Sequence, residues 1–297
     1  MSSSVSSSSA DPSVTVVIGS NAPQERLAAC LEALAPQRDG VEIRVHEGTS
    51  SRPEFRERFP WVGFTTNPGA LVPHHWRDGI DAARGEIVAL TISQMVPAAD
   101  WIATIRALHE RYHVVGGAID PGEGLRAVDW AEYFCRYARD LRPFPGHESL
   151  DLPGDNAAYK RSLLENVSDL YRNGFWEPLV HAELAKDGVV HWQAPELVVY
   201  QGRSAGLRAF TAQRLTHGRQ YGRDRATKLA TGRRVVGVLM SPMVPFLMSW
   251  RVLRLVLSKR RYRRRALATL PIILWFNLVW AYAEARGYVD RLRDRSD

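Results

Sequence analysis

The chain has 297 residues, 45% hydrophobic and 24% charged, with a formal net charge of +7. That balance fits a folded chain able to bury a core and excludes disordered and collagen-like classes. Cys30 and Cys135 are its only cysteines, which excludes a disulfide framework and a cysteine zinc site and predicts free core thiols in a reducing compartment.

Residues 1–13 are mostly serine, with no positive n-region and no apolar h-region, so they predict a flexible tail rather than a secretion signal, and the expected location is the cytoplasm. VTVVI (14–18) is a short apolar strand, and Leu27, Cys30, Leu31 and Leu34 fall at helical spacing over 24–37, between Pro23 and Pro36. VEIRV (41–45) alternates like a strand, 73–84 suits a helix, and EIVALTI (86–92) is a continuous apolar strand. Trp101, Ile105, Leu108 and Tyr112 make another helical stripe before the strand-like VVGGAI (114–119). Strands alternating with helices imply an α/β fold, a mostly parallel sheet covered on both faces. In such sheets ligands bind outside the carboxyl ends of the strands, so the loops 19–21, 46–51 and 93–97 should converge on one crevice.

After residue 120 the alternation stops. A segment broken by Pro and Gly (142–154) leads to a predicted helix near 157–166, then to strand-like VVHWQ (189–193) and LVVY (197–200). Charge then changes sign: residues 203–297 hold 21 Lys and Arg against 5 Asp and Glu, whereas 1–202 hold 18 against 27. On charge alone such a region suits nucleic acid or anionic lipid. Two uncharged stretches rich in Leu, Trp and Phe, 235–250 and 266–283, favour lipid. Nucleic acid is not expected, because the aromatics serve the apolar stretches instead of alternating with basic residues along a groove.

A spanning helix needs about 20 residues, so both stretches are short. Between them, 251–265 carry eight Lys and Arg and no acid; a spanning hairpin would put this loop across the membrane from the preceding domain, against the positive-inside tendency. Segments lying in the interface avoid the conflict, with Arg251 and Arg254 snorkelling and the 259–265 cluster on anionic headgroups. Pro242, Pro245 and Pro271 suit broken, shallow helices. Two core helices of a soluble protein would leave the tryptophan and arginine of this region unexplained, and burial in an oligomer is the remaining alternative. The expected organisation is a tail over 1–13, an α/β domain over 14–202, a basic helical connector over 203–232 and a membrane-associated helical region over 233–297.

Taken together, SVTVVIGSN (13–21), VEIRVHEGTSS (41–51), GIDAARGEIVALTISQMVPAADW (79–101), LPGDNAAYKRSLL (152–164) and FWEPLVHAELAKDGVVHWQAP (175–195) resemble family 2 glycosyltransferases of the GT-A fold. The resemblance covers about residues 13–200, and WAYAEARGYVD (280–290) after the apolar stretches looks like the ends of membrane-associated bacterial members. It implies an inverting transfer of a sugar from a nucleotide-sugar donor to a lipid-linked or cell-envelope acceptor, at the cytoplasmic face of the membrane. On that resemblance Ser20, Asn21, His46, Glu47, Ser93 and Gln94 would line the donor site. Gly154 and Asn156 would line the donor–acceptor junction, with Glu47 accepting from a base edge.

Two departures concern charge. Where the family has an Asp-x-Asp pair holding a divalent ion against the donor diphosphate, this chain has Thr91 and Ser93, and hydroxyls hold Mg²⁺ or Mn²⁺ poorly. A His that often follows the last strand is replaced by Tyr200-Gln201. The expectation is metal-independent chemistry or no turnover at all. Leaving-group charge then falls to cations or helix N-termini: Arg77 with His74 and His75, or, as the preferred clamp, Arg214, His217 and Arg219 in QRLTHGRQYGR (213–223).

For the base, counting back from Gly188 to where inverting members carry Asp reaches Glu177, which neighbouring Phe175 and Trp176 would partly desolvate, raising its pKa. Asp155 is the reserve base. The plain alternatives are a solvated loop residue at 47, a helix-start Glu at 177 complementing the dipole, and Asp155-Asn156 as a cap for a helix from Ala157. The second reading of the whole chain is a degenerate homologue that binds a nucleotide sugar, lipid or partner enzyme without turnover.

Overall fold

A computed structural model describes residues 12–227 and 229–293; the serine-rich stretch expected to be a tail lies, up to residue 11, outside the described residues. The chain divides into two compact units, Met1–Ile119 with Pro145–Tyr200, and Asp120–Phe144 with Gln201–Asp297.

The first unit is built on β1 (Val14–Ser20), α1 (Gln24–Leu34), β2 (Val41–Glu47), α2 (Pro53–Arg58), β3 (Val62–Thr66), α3 (Val72–Asp81), β4 (Ile87–Ile92), β5 (Met95–Pro97), α4 (Trp101–Leu108) and β6 (Val114–Pro121). After the excursion into the second unit, which contributes α5 (Ala127–Tyr137), it resumes with β7 (His147–Glu148), β8 (Asn156–Lys160), α6 (Arg161–Asn166), α7 (Glu177–Lys186) and β9 (His191–Gln201). Among the described residues the strands form one sheet ordered β3-β2-β1-β4-β8-β6-β9-β5, with β7 on β9. β1 pairs in parallel with β2 and β4, and β2 with β3. β1 and β4 are buried at every position, as strands covered on both faces must be.

The helix expected near 157–166 is corrected. Residues 156–160 are β8, antiparallel to both β4 and β6, and only 161–166 are helical. Ala157 and Ala158 favour helix locally, but their small side chains, fully buried, fill the slot between two hydrophobic strands, and tertiary pairing overrides propensity. The two strand-like pieces at 189–193 and 197–200 are one strand running through Pro195.

In the second unit α11 (Arg263–Arg293) packs on α5, α8 (Leu207–Thr227), α9 (Thr231–Met240) and α10 (Val244–Ser258). α8, the basic stretch expected to act as a connector, runs against α11 with the two backbones in contact. A Cβ on Gly222 would lie 2.2 Å from the Glu284 carbonyl oxygen, and one on Gly287 2.3 Å from that of Arg219, so only glycine permits this approach. Asp129 in the first turn of α5 accepts bonds from the Arg126 and Ser204 amides at 2.8 and 3.0 Å, and from the Ser204 hydroxyl at 2.7 Å. Burial alone would raise its pKa; these bonds and the Arg126 guanidinium outweigh it and hold the carboxyl at about 2.

The segments Gly232–Ser258 and Arg263–Arg291 are long and apolar enough to cross a membrane by length and composition, with mean hydropathies of 1.5 and 1.6. Only 11% of the first is buried, so it is not a core helix; Leu239, Met243, Phe246 and Trp250 are all more than half exposed. It is broken at a short 3₁₀ turn, Ser241–Met243, where Pro242 and Pro245 fall. The expected break at Pro271 is absent: α11 continues through it, packed along α8 and α5, which holds the helix despite the missing amide. The basic cluster is also partly spent inside the protein. Arg261 and Arg142 both reach Asp120 Oδ2 at 3.0 Å, and Lys259 donates to the carbonyls of Arg139, at 2.7 Å, and Leu141. Arg260, Arg263, Arg264 and Arg265 remain exposed.

Candidate active site

The carboxyl ends of β1, β2 and β4 finish at one level. Register pairs Ser20 with Glu47, Gly19 with His46, and Ile18 with Thr91. The loops that follow are tied together through the backbone: Ser93 N donates to Gly19 O (3.1 Å), Gly48 N to Ser20 O (3.0 Å) and Asn67 N to Glu47 O (2.9 Å). Ser20, Asn21, His46, Glu47, Ser93 and Gln94 are thus gathered as the strand order requires, at the position where open α/β sheets bind ligands.

Their side chains differ in availability. Asn21 is exposed and shares a 3.1 Å hydrogen bond through Oδ1 with His75 Nε2, while its amide donates to Ala70 O at 3.0 Å. Glu47 is buried and already saturated: Oε1 accepts from the Ser51 amide (2.8 Å), Arg56 (2.6 Å) and Thr66 (3.3 Å), and Oε2 from the Ser51 hydroxyl (2.5 Å). It orders the loop from residue 48 to Arg56. Arg56 carries no sequence signal of this role; only its position on α2, beside the end of β2, supplies one. His46 is 2% exposed with neither ring nitrogen bonded. Arg77 pairs with Asp78, Nε at 2.8 Å, and donates to Arg172 O at 2.7 Å, so its charge is part of the wall.

Burial pushes the His46 pKa down to about 4, against the attraction of Asp78 and with help from His75 and Arg44. A histidine that protonates at about 4 when folded and at 6.5 when unfolded binds fewer protons in the native state between those values, so stability falls as pH drops through that window. His109 and His181, also lowered to about 4 by burial, act in the same direction. The urea midpoint is expected to be lower at pH 5 than at pH 7, and His46→Gln to flatten that slope; a midpoint rising on acidification would contradict the assignment.

Thr91 is fully buried and its hydroxyl donates to Asp155 O at 3.0 Å, while its carbonyl accepts from Trp76 Nε1 at 2.9 Å. Thr91 therefore staples β4 to the segment before β8. Among the described residues no group of three or more His, Cys, Asp and Glu side chains is placed to hold a metal ion. With Thr91 committed to a carbonyl and Ser93 a neutral hydroxyl, the donor set does not fit a hard divalent cation.

Asn156 is fully buried and bonded on both ends of its amide: Nδ2 donates to Ala118 O (2.9 Å) and Leu197 O (3.0 Å), and Oδ1 accepts from Trp101 Nε1 (2.9 Å). It ties β8 to β6, β9 and Trp101 of α4. Gly154 and Glu177 are brought into contact. A Cβ on Gly154 would lie 2.0 Å from Glu177 Oε1 and 2.6 Å from its Cγ, so the carboxylate occupies the space a side chain would take. Glu177 is half-buried at the first turn of α7, directly after buried Phe175 and exposed Trp176, and Asp155, also half-buried, is the next residue after Gly154.

Arg214, His217 and Arg219, expected from the sequence to form a phosphate clamp, lie on α8 in the second unit. Arg214 is buried with its guanidinium 5.2 and 5.1 Å from the Phe210 and Trp280 ring centroids, and Arg219 is ion-paired to Asp290 at 2.6 Å. The His217 pKa is lowered by partial burial and by Arg136 and Arg214, which favours its neutral form.

A parallel-rich sheet with an antiparallel strand inserted and helices around it is a mixed α/β fold similar to the GT-A fold. Two solved structures are similar to the chain: the mannosyltransferase PcManGT from Pyrobaculum calidifontis, solved with GDP-Man and Mn²⁺, at 17% identity and a TM-score of 0.54 over 97% of this chain and 89% of that one. GalNAc-T7, solved with UDP, GalNAc and Mn²⁺, matches at 15% identity and a TM-score of 0.49 over 65% of this chain and 44% of that one. No family model matches the chain, and no curated protein matches it in sequence.

Proposed function

We propose that the protein is a membrane-associated inverting glycosyltransferase that moves a sugar from a nucleotide-sugar donor to an amphiphilic, lipid-linked or cell-envelope acceptor at the cytoplasmic membrane surface. The observation that carries it is the Glu177 carboxylate lodged over Gly154, beside the crevice at the strand ends. Asn21, Ser93 and Gln94 hold the donor, with Glu47 and Arg56 ordering the loop beneath the nucleotide. Glu177 takes the proton of the acceptor hydroxyl as its oxygen attacks the sugar, and Asp155 supports it. Trp176 and Leu179 are 44% and 57% exposed on the same helix start, an apolar lip suited to an acceptor with a hydrocarbon part. The exposed apolar face of α9 and α10 supports attachment in the interface rather than across it.

Because the residues in place of the acid pair do not fit a metal, leaving-group charge is met by polar groups of the strand-end loops. The staple made by Thr91 equally favours the second reading, a binder without turnover. Donor hydrolysis and transfer measured over UDP-, GDP- and dTDP-sugars, with and without EDTA, separates them. Turnover that survives EDTA is the expected result; binding with no turnover across the panel selects the second reading, and loss of turnover in EDTA overturns metal independence.

A further inference from the structure

The second unit holds a cavity of about 450 Å³ whose walls take no part in the chemistry above, with Arg225 from α8, Arg233, Val236 and Met240 from α9, and Glu284 and Tyr288 from α11 among its lining residues. One wall is polar and internally balanced: Glu284 Oε1 accepts from Tyr288 Oη at 2.7 Å and pairs with Arg225 Nη1 at 3.2 Å. Glu284 offsets one guanidinium. Arg233, exposed, makes no hydrogen bond or ion pair among the described residues, so the cavity carries an unmatched positive charge.

The other wall is hydrocarbon. Arg233 and Met240 stand two turns apart on α9, about 10 Å along the axis, with Val236 between them. Val236 and Met240 are 57% and 49% exposed and continue into Leu239, Met243 and Phe246, the outward apolar face of the same segment. The cavity therefore opens from a cationic end onto a surface that water solvates poorly. A small hydrophilic anion would leave the apolar wall wet, and a neutral lipid would leave Arg233 unpaired. The volume lies within the range of sites that bind one small molecule.

We propose that this cavity binds a single anionic glycerophospholipid, its phosphate at Arg233 and Arg225 and an acyl chain along Val236 and Met240. The assignment rests on the reading of this unit as membrane-attached, and it adds a defined lipid site to a general affinity for the interface.

The test uses the full chain titrated calorimetrically with dihexanoyl phosphatidylglycerol and dihexanoyl phosphatidylcholine below micelle formation, with inorganic phosphate as competitor. One anionic lipid per chain is expected, with the zwitterionic lipid about tenfold weaker, and about tenfold loss in Arg233→Glu, which corresponds to about 1.4 kcal/mol. Val236→Trp, at an exposed position, is expected to block the acyl chain with the far-ultraviolet circular dichroism unchanged. Equal affinity for both lipids, binding untouched by both variants, or inorganic phosphate binding as tightly as the lipid would overturn the site. Pelleting with vesicles of phosphatidylcholine, alone or mixed equally with phosphatidylglycerol, is read separately. Loss of pelleting with monomer binding intact removes the attachment reading and spares the cavity, and the converse removes the cavity alone.

Discussion

Replacing Glu177 by Gln is expected to lower sugar transfer by about 10²- to 10⁴-fold, the range a positioned general base supplies, while donor binding stays unchanged. The amide keeps the size and shape that fill the space over Gly154, so the loss reports proton transfer and not repacking. Steady-state transfer and donor binding measured side by side give the decisive comparison. A variant that retains wild-type turnover removes Glu177 from the chemistry and moves the role to Asp155, whose Asn variant is then the one to lose activity. Gly154→Ala complements the experiment from the opposite side: the chemistry of Glu177 is intact, but a Cβ 2.0 Å from Oε1 forces the carboxylate away.

The largest effect on stability is expected at Asn156. Truncation to Ala leaves the Trp101 indole N–H and the carbonyls of Ala118 and Leu197 buried without partners. Unsatisfied buried groups cost about 1–3 kcal/mol each, so a loss of about 3 kcal/mol or more is expected, which lowers the melting temperature by about 10 °C. Asn156→Asp is no remedy, since it keeps the acceptor for Trp101 but replaces two donated bonds with a buried charge facing carbonyls. Thermal melts followed by circular dichroism read both variants. A fall of only a degree or two in Asn156→Ala would mean that the amide is not the tie between these strands that its contacts describe.

Much of the crevice was legible because it depends on periodicity. Continuous apolar runs at 14–18 and 86–92 mark central parallel strands, and their ends locate the polar loops without knowledge of any contact. What periodicity could not supply is the use to which each polar side chain is put. Glu47 reads as an available acceptor until Arg56 and Ser51 are seen to saturate it, and Asn156 reads as a donor-site residue until Trp101, far away in sequence, is seen to bind it. Residues 157–160 depart from the helical expectation for a related reason: Ala-Ala-Tyr-Lys has no strand signature of its own and becomes extended only between β4 and β6. The 62–66 strand carries little periodic signal because it is short and lies at the edge of the sheet, with only Val62 buried. The contact between Gly154 and Glu177 joins two positions that each carried a motif, so the pair was predictable as neighbours in function but not as neighbours in volume.

The antiparallel insertion of β8 also has a bearing on how the chain acquires its structure. β4 is complete at residue 92 and pairs with β1 on one edge, yet β8, its partner on the other edge, comes only after the chain has run through the 120–144 segment of the other unit. Until residue 160 is available, β4 and β6 each present an open edge of unpaired amides and carbonyls, the kind of surface on which partly made chains associate. Assembly of the sheet therefore waits on a distant closure, a slow step in any chain dominated by long-range pairing. A fragment that stops before residue 156 keeps every strand-end residue of the crevice at β1, β2 and β4 and still lacks the strand that joins the two halves of the sheet.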